Sequence, residues 1–267
     1  MKQSRRTRIV RWDEDAEPED LSDELAVEEP LEIRIGGDPI SVTMRTPGQD
    51  IELVAGMLLS ESLISPGARP LIRQDHPNMV NVAPSTLAHD PSALEKMRRQ
   101  GVTSTSCGLC GKASIEAVHQ HFPPIDDDVT IPRNLLPQLV RHLENAQTAF
   151  ARTGGLHAAA LFDNHGKLLV AREDVGRHNA VDKVIGNALL RGLLPLNGHI
   201  LLVSGRASFE IVQKALGAQI PIIAAVSAPS TLAVSLASSG GQTLIGFLRT
   251  GRCNVYTHPE RITKTQS

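Results

Sequence analysis

Aromatic residues are scarce in this chain: Phe, Trp and Tyr together make up 3% of its 267 residues. Proteins that hold nucleic acid usually combine a strongly basic surface with stacking rings. With 27 Lys and Arg against 29 Asp and Glu, this sequence has neither, and no nucleic-acid partner is expected. Long apolar runs are missing too. The longest, such as residues 220–226, fall far short of the roughly 20 residues that a membrane-spanning helix needs, which excludes a membrane span. Three unevenly placed cysteines are too few for a disulfide framework. The opening Arg pair, Arg5 and Arg6, is followed by the acidic W-D-E-D-A-E-P-E-D where an export signal would place its apolar stretch, so a cytoplasmic protein is expected.

Positive charge is absent from residues 13–29, which carry ten Asp or Glu and no Lys or Arg. Residues 1–23 have little apolar periodicity and read as a disordered acidic leader. Beyond them the text changes. The runs E-L-A-V-E-E-P-L-E-I-R-I and P-I-S-V-T-M-R flank G-G-D and predict a β-hairpin. Q-D-I-E-L-V-A-G-M-L-L-S has apolar residues at helical spacing, with Asp50 available as its cap. Strand candidates at 70–74 and 79–83 complete a small α+β domain over 24–102.

Residues 103–130 contain the S-C-G-L-C-G-K motif and a Pro/Asp-rich connection. From 131 to 267 a long amphipathic helix is followed by alternating strand-like and helix-like stretches, which predict a parallel or mixed sheet covered on both faces. In such a sheet ligands bind beyond the carboxyl ends of the strands. Three junctions there stand out: A-R-E-D-V-G-R-H-N-A-V-D-K from Ala171, S-G-R-A-S-F-E from Ser204 and S-A-P-S-T-L from Ser227. Arg177, His178 and Arg206 fall at helix starts, where the helix dipole disfavours a cation unless an anion or a nearby carboxylate such as Glu173, Asp174 or Glu210 accompanies it. His178 and Asp182, four residues apart, fall on one helical face, as do Asn179 and Lys183. Near the end, F-L-R-T-G-R places Arg249 and Arg252 around a Gly turn, suited to phosphate or guanine-type ligands or simply a solvated hairpin.

Cys107 and Cys110 form a C-x-x-C flanked by glycines. A structural zinc site needs a second ligand pair, and the sequence offers none at the usual spacing. The H-x-E and P-C-x-x-C pattern of the zinc-dependent nucleobase deaminases is not matched either, since Ser106 precedes Cys107 and Ala159 stands two residues after His157. A redox dithiol and a persulfide carrier both remain. In a carrier, Gly108 and Gly111 leave the sulfur accessible, Lys112 favours the thiolate, and a second thiol assists release.

Five blocks together, S-C-G-L-C-G-K, T-G-G-L-H-A-A-A-L-F, the A-R-E-D block, S-G-R-A-S-F-E-I-V-Q-K and N-V-Y-T-H, resemble the FdhD family of formate dehydrogenase accessory sulfurtransferases, over residues 24–261. The resemblance implies a cytidine-deaminase-like α/β domain, over 131–267, with a smaller N-terminal α+β domain, as a homodimer. It further implies a sulfurtransferase that takes sulfur from a cysteine desulfurase as a persulfide on Cys107, with Cys110 its partner. The sulfur passes to the bis-molybdopterin guanine dinucleotide molybdenum cofactor of a formate dehydrogenase client. The family's cofactor-binding segment falls on Phe247, Leu248, Arg249, Thr250, Gly251 and Arg252. No metal ligand set is implied, and Cys253 lies outside the thiol motif.

Overall fold

The computed structural model describes residues 2–87, 115 and 122–264. The paired cysteines, most of the C-x-x-C segment and the short helix expected after it lie outside the described residues.

The segment expected to be a disordered leader carries a strand pair: β1 (Ser4–Arg11) pairs antiparallel with β2 (Glu19–Ala26) over eight residue pairs. The ribbon joins a basic strand to an acidic one, with Arg6 opposite Glu24 and Arg8 bonded to Asp20 at 2.6 Å. Opposite-charge cross-strand pairs stabilise such a ladder where apolar alternation does not.

β3 (Glu29–Ile35) and β4 (Asp38–Arg45) form the expected hairpin, turning at Gly36 and Gly37 with φ of 62° and 96°. Helix α1 (Asp50–Ser60), β5 (Ile72–His76) and β6 (Met79–Val82) follow, giving a four-stranded sheet in the order β4-β3-β6-β5. Asp50 does not cap α1. It is the first helical residue and receives a bidentate contact from buried Arg45, at 2.9 and 3.0 Å, plus a bond from Gln74. The cap position falls to Gln49 in the left-handed region, φ 55°.

After β7 (Ile131–Pro132) and a 3-10 turn, the single helix expected here is two: α2 (Leu136–Ala146) and α3 (Phe150–Thr153). The break has a local cause. The buried carboxylate of Glu173 accepts the backbone N–H groups of Ala149 and Phe150, at 2.9 and 2.6 Å, and so anchors a new helix start. The second sheet holds β8 (His157–Phe162), β9 (Leu168–Asp174), β10 (Ile200–Val203), β11 (Ile222–Ala225), β12 (Thr243–Arg249) and β13 (Arg252–Thr257). Its order is β13-β12-β11-β10-β8-β9, and β14 (Ile262–Thr263) pairs with β7 apart from it.

Helices α4 (Arg177–Leu190), α5 (Phe209–Gly217) and α6 (Thr231–Ser239) connect these strands. Alternate residues of each strand enter opposite cores: Ala159, Leu161, Leu201 and Ile223 on one face, Ala160, Phe162, Leu202 and Ala224 on the other. The first core also contains Leu31, Leu53 and Leu58, so the N-terminal sheet and the second half share one apolar interior. Their contact is a glycine-mediated crossing of α1 and α4. A Cβ at Gly56 would lie 2.0 Å from the Asp182 carbonyl oxygen, and one at Gly186 would lie 1.8 Å from that of Glu52. Only hydrogen at both positions permits this approach.

Candidate functional site

β10 is parallel to β11, which is parallel to β12, while β8 is antiparallel to both β10 and β9. The carboxyl ends of β9, β10, β11 and β12 therefore share one rim, together with the start of β8. All three junctions picked out in the sequence, and the Phe247–Arg252 turn, fall on it. Short backbone bonds join the loops there: Val226 N–H to Val203 O, Ala207 N–H to Ala228 O and Phe247 N–H to Ser227 O, at 3.0, 3.2 and 3.1 Å.

At one end of the rim lies the β12–β13 turn. Arg249 is exposed, yet its Nη1 donates to the carbonyls of Val226 and Leu248, which fixes the guanidinium against the rim. Phe247 is exposed and left-handed, φ 51°, at a register shift in the β12–β13 ladder. A phenylalanine in that region is strained, and Gly246 before it has no room for a side chain, since a Cβ there would stand 2.8 Å from Pro229 Cδ and 3.0 Å from Tyr256 Cε2. Leu248 is buried, whereas Thr250, Gly251 and Arg252 are exposed. Cys253 is half-buried, and burial pushes its thiol above the usual range, which makes it a poor nucleophile.

The middle of the rim is built by the A-R-E-D block. Asp174 and Lys183 form an ion pair at 2.7 Å with both side chains fully buried. Asp174 also accepts the Thr46 and Gly176 N–H groups and the Asn179 amide, at 3.2, 2.8 and 2.9 Å. Asn179 reaches on to the Met44 carbonyl at 2.9 Å. Asp182 pairs with Lys214 at 2.8 Å and accepts a bond from Ser60 at 2.9 Å. Of the polar residues sharing faces of α4, Asp182 and Lys183 are thus buried scaffold, while His178 and Asn179 are part-buried.

His178 instead meets Ser208, Nε2 to Oγ 3.2 Å, with Glu210 at 3.7 Å. Glu210 was among the carboxylates named for these helix starts, whereas Ser208 was not, because it belongs to a different junction 30 residues on. Burial, then the charges of Lys214 and Arg177, push His178 down to about 4, so its ring is neutral at pH 7. His157 is lowered as well, by burial and then by Arg177 and Arg206. Of the carboxylates named for those arginines, Glu210 faces Arg177: against burial, which raises it, Glu210 is lowered by hydrogen bonds from its own backbone and Ser208 and then by the charges of His178 and Arg177. Glu173 serves α3, Asp174 serves Lys183, and Glu210 lies beside His178.

Among the described residues no group of three or more His, Cys, Asp or Glu is arranged to hold a metal ion, and no helix is long and apolar enough to cross a membrane. The fold is a mixed α/β architecture with a cationic strand-end rim on its second sheet. The family model described as the FdhD/NarQ family matches residues 26–263, and the chain belongs to that family. It is 52% identical over 252 residues to a sulfur carrier protein FdhD of Mycobacterium tuberculosis, covering 90% of this chain and 91% of that one. A protein of the same name from Streptomyces avermitilis is 49% identical over 257 residues, covering 90% and 89%. A crystal structure described as that of a formate dehydrogenase accessory protein from Desulfotalea psychrophila is similar with a TM-score of 0.79 and 26% identity. The match covers 98% of this chain and all of that one.

Proposed function

We propose that this protein is a cytoplasmic sulfur carrier, a sulfurtransferase that acts through a persulfide and serves a formate dehydrogenase. The observation that carries the reading is the 52% identity over 252 residues to relatives named sulfur carrier proteins, together with the C-G-L-C-G-K motif. The Cys107 thiolate attacks the terminal sulfur of a persulfide on a cysteine desulfurase. A new S–S bond forms and the donor cysteine leaves as a thiolate. At delivery the Cys110 thiolate attacks the Cys107 sulfur, giving a Cys107–Cys110 disulfide and releasing hydrosulfide with the electron pair of the broken bond. A cellular dithiol then reduces the disulfide and resets the carrier.

The acceptor in this reading is the bis-molybdopterin guanine dinucleotide molybdenum cofactor, bound as cargo along the rim. Phe247 offers a ring face, and Arg249 and Arg252 offer charge-assisted donors, with Leu248, Thr250 and Gly251 shaping the turn. The protein works as a homodimer, and its second sheet belongs with the cytidine-deaminase-like folds. Incubation with a cysteine desulfurase and cysteine, followed by peptide mass analysis, tests the assignment. One added sulfur is expected on Cys107, and Cys107→Ala should abolish formate dehydrogenase activity in cells lacking the native protein. Full activity with Cys107→Ala would exclude the carrier role.

A further inference from the structure

The ribbon of β1 and β2 stands apart from the two larger sheets, with no third strand on either edge among the described residues. An isolated two-stranded ribbon is marginally stable in water, and open strand edges are surfaces that pair. Its two ends carry opposite charge. At the root, Lys2, Arg5, Arg6 and Arg152 line a cleft of about 920 Å³ between the ribbon and the body. Two carboxylates share that cleft and both are engaged, Glu24 with Ser4 and Arg152, and Glu29 3.8 Å from buried Arg45. Lys2 and Arg5 are exposed and make no side-chain hydrogen bond or ion pair among the described residues. At the tip, Asp13, Glu14, Asp15, Glu17 and Glu19 are all exposed and likewise without such a partner. Beside them Trp12, the chain's single tryptophan, is 75% exposed. Eight residue pairs at about 3.3 Å each separate the two ends by about 25 Å, so the tip cannot reach the root of its own ribbon.

We propose that the ribbon is an arm that docks a second copy of this chain, the acidic tip of each arm lying in the basic root cleft of the other. The inference rests on the homodimer of the reading above and assigns one of its contacts. Each copy supplies both halves of the contact, and the ribbon holds them too far apart to meet within one copy. A twofold axis makes both contacts at once, since arms laid antiparallel place each tip at the other's root. Arms laid the same way round would set tip against tip, carboxylates against carboxylates. Val27, Pro47 and Pro77 give the cleft an apolar wall for the Trp12 ring, and Arg152 offers a cation to its face.

Two charge-reversed variants of the full chain test the proposal: a root variant, Lys2→Glu with Arg5→Glu, and a tip variant, Glu14→Lys with Asp15→Lys and Glu17→Lys. Sedimentation velocity reads association, and the emission of Trp12 reads the contact itself. Wild type is expected to associate, with Trp12 emission moving to shorter wavelength as concentration rises. Both signals should weaken between about 0.05 and about 0.5 M salt, where exposed charges are screened. Each variant alone sets like charge against like in both contacts and should associate about tenfold or more weakly. Mixed in equal amounts, the two should associate about tenfold or more tightly than either alone, because opposite charges then meet in both contacts. No folding defect produces that recovery. Trp12 emission that ignores concentration, or a mixture no tighter than its parts, overturns the arm. Unchanged dimer mass in both variants overturns it while leaving the homodimer itself standing. A wild-type chain that does not associate but binds a penta-glutamate peptide overturns it in favour of an acidic partner of another kind. Sulfur loading on Cys107, measured on the same preparations, reads the carrier role independently.

Discussion

Removing the ammonium of Lys183 should be among the most damaging single changes in this molecule. Its Nζ lies 2.7 Å from Asp174 Oδ2, and both side chains are fully buried. Nζ also donates to the Thr46 carbonyl at 3.0 Å and lies 3.4 Å from that of Glu173. In Lys183→Met, Asp174 keeps its three donors from Thr46, Gly176 and Asn179 but loses its counter-charge. A buried ion pair broken on one side costs about 3–5 kcal/mol, because the remaining charge is stranded away from water. For a chain of this size that corresponds to a fall in Tm of roughly 10 °C. The double variant Asp174→Asn with Lys183→Met removes both charges and should recover a large part of the loss. Thermal and urea melts followed by circular dichroism measure all three proteins. A Lys183→Met variant melting within about 2 °C of wild type, or a double variant no better than the single, would refute the reasoning.

Gly186→Ala should destabilise by about 1–3 kcal/mol or more, read as a lower urea midpoint, since its Cβ would meet Glu52 O at 1.8 Å and Gly56 N at 2.7 Å. His178 is held at about 4 in the fold, chiefly by burial, against 6.5 for the free side chain. The unfolded chain therefore binds the extra proton first as pH falls below about 6.5, and stability drops by about 3 kcal/mol on the way to pH 4. His178→Gln should flatten that part of the pH–stability curve, and an unchanged curve would count against a buried neutral ring. Glu24→Gln should loosen the β1–β2 ribbon by weakening its contacts with Ser4 and Arg152. Faster hydrogen exchange over residues 4–11 with an unchanged global melt is the expected pattern.

Much of the second half was legible because its strands are short apolar runs bounded by glycine, proline and serine, and its helices are set between them. The order along the sheet was not. β8 lies between β9 and β10 with reversed direction, a choice made by long-range pairing that no local pattern encodes. The first 23 residues were misread for a related reason. Apolar alternation is the signal for a strand, and β1–β2 instead matches charges across a ribbon whose base rests on α3, with Arg152 bonded to Glu24 at 3.0 Å. Neither half of that arrangement is visible without the other.

The A-R-E-D-V-G-R-H-N-A-V-D-K block shows most clearly what a sequence conceals about a site. Read as a string, its charged residues look equally eligible for ligand binding. In the fold they divide by whether a protein partner is already present. Glu173 anchors α3, Asp174 and Lys183 neutralise each other, Asn179 ties the turn to β4, and Asp182 is held by Lys214. These residues spend their polar groups fixing where α4 starts. Within the block, Arg177 retains a buried donor without a hydrogen-bond acceptor, and His178 beside it is kept uncharged chiefly by burial and then by the charges of Lys214 and Arg177. The scaffold residues therefore explain why this helix begins with a cation against its own dipole. They hold Arg177 at the rim, where the carboxylate that feels its charge is Glu210 of the neighbouring junction, at the start of α5.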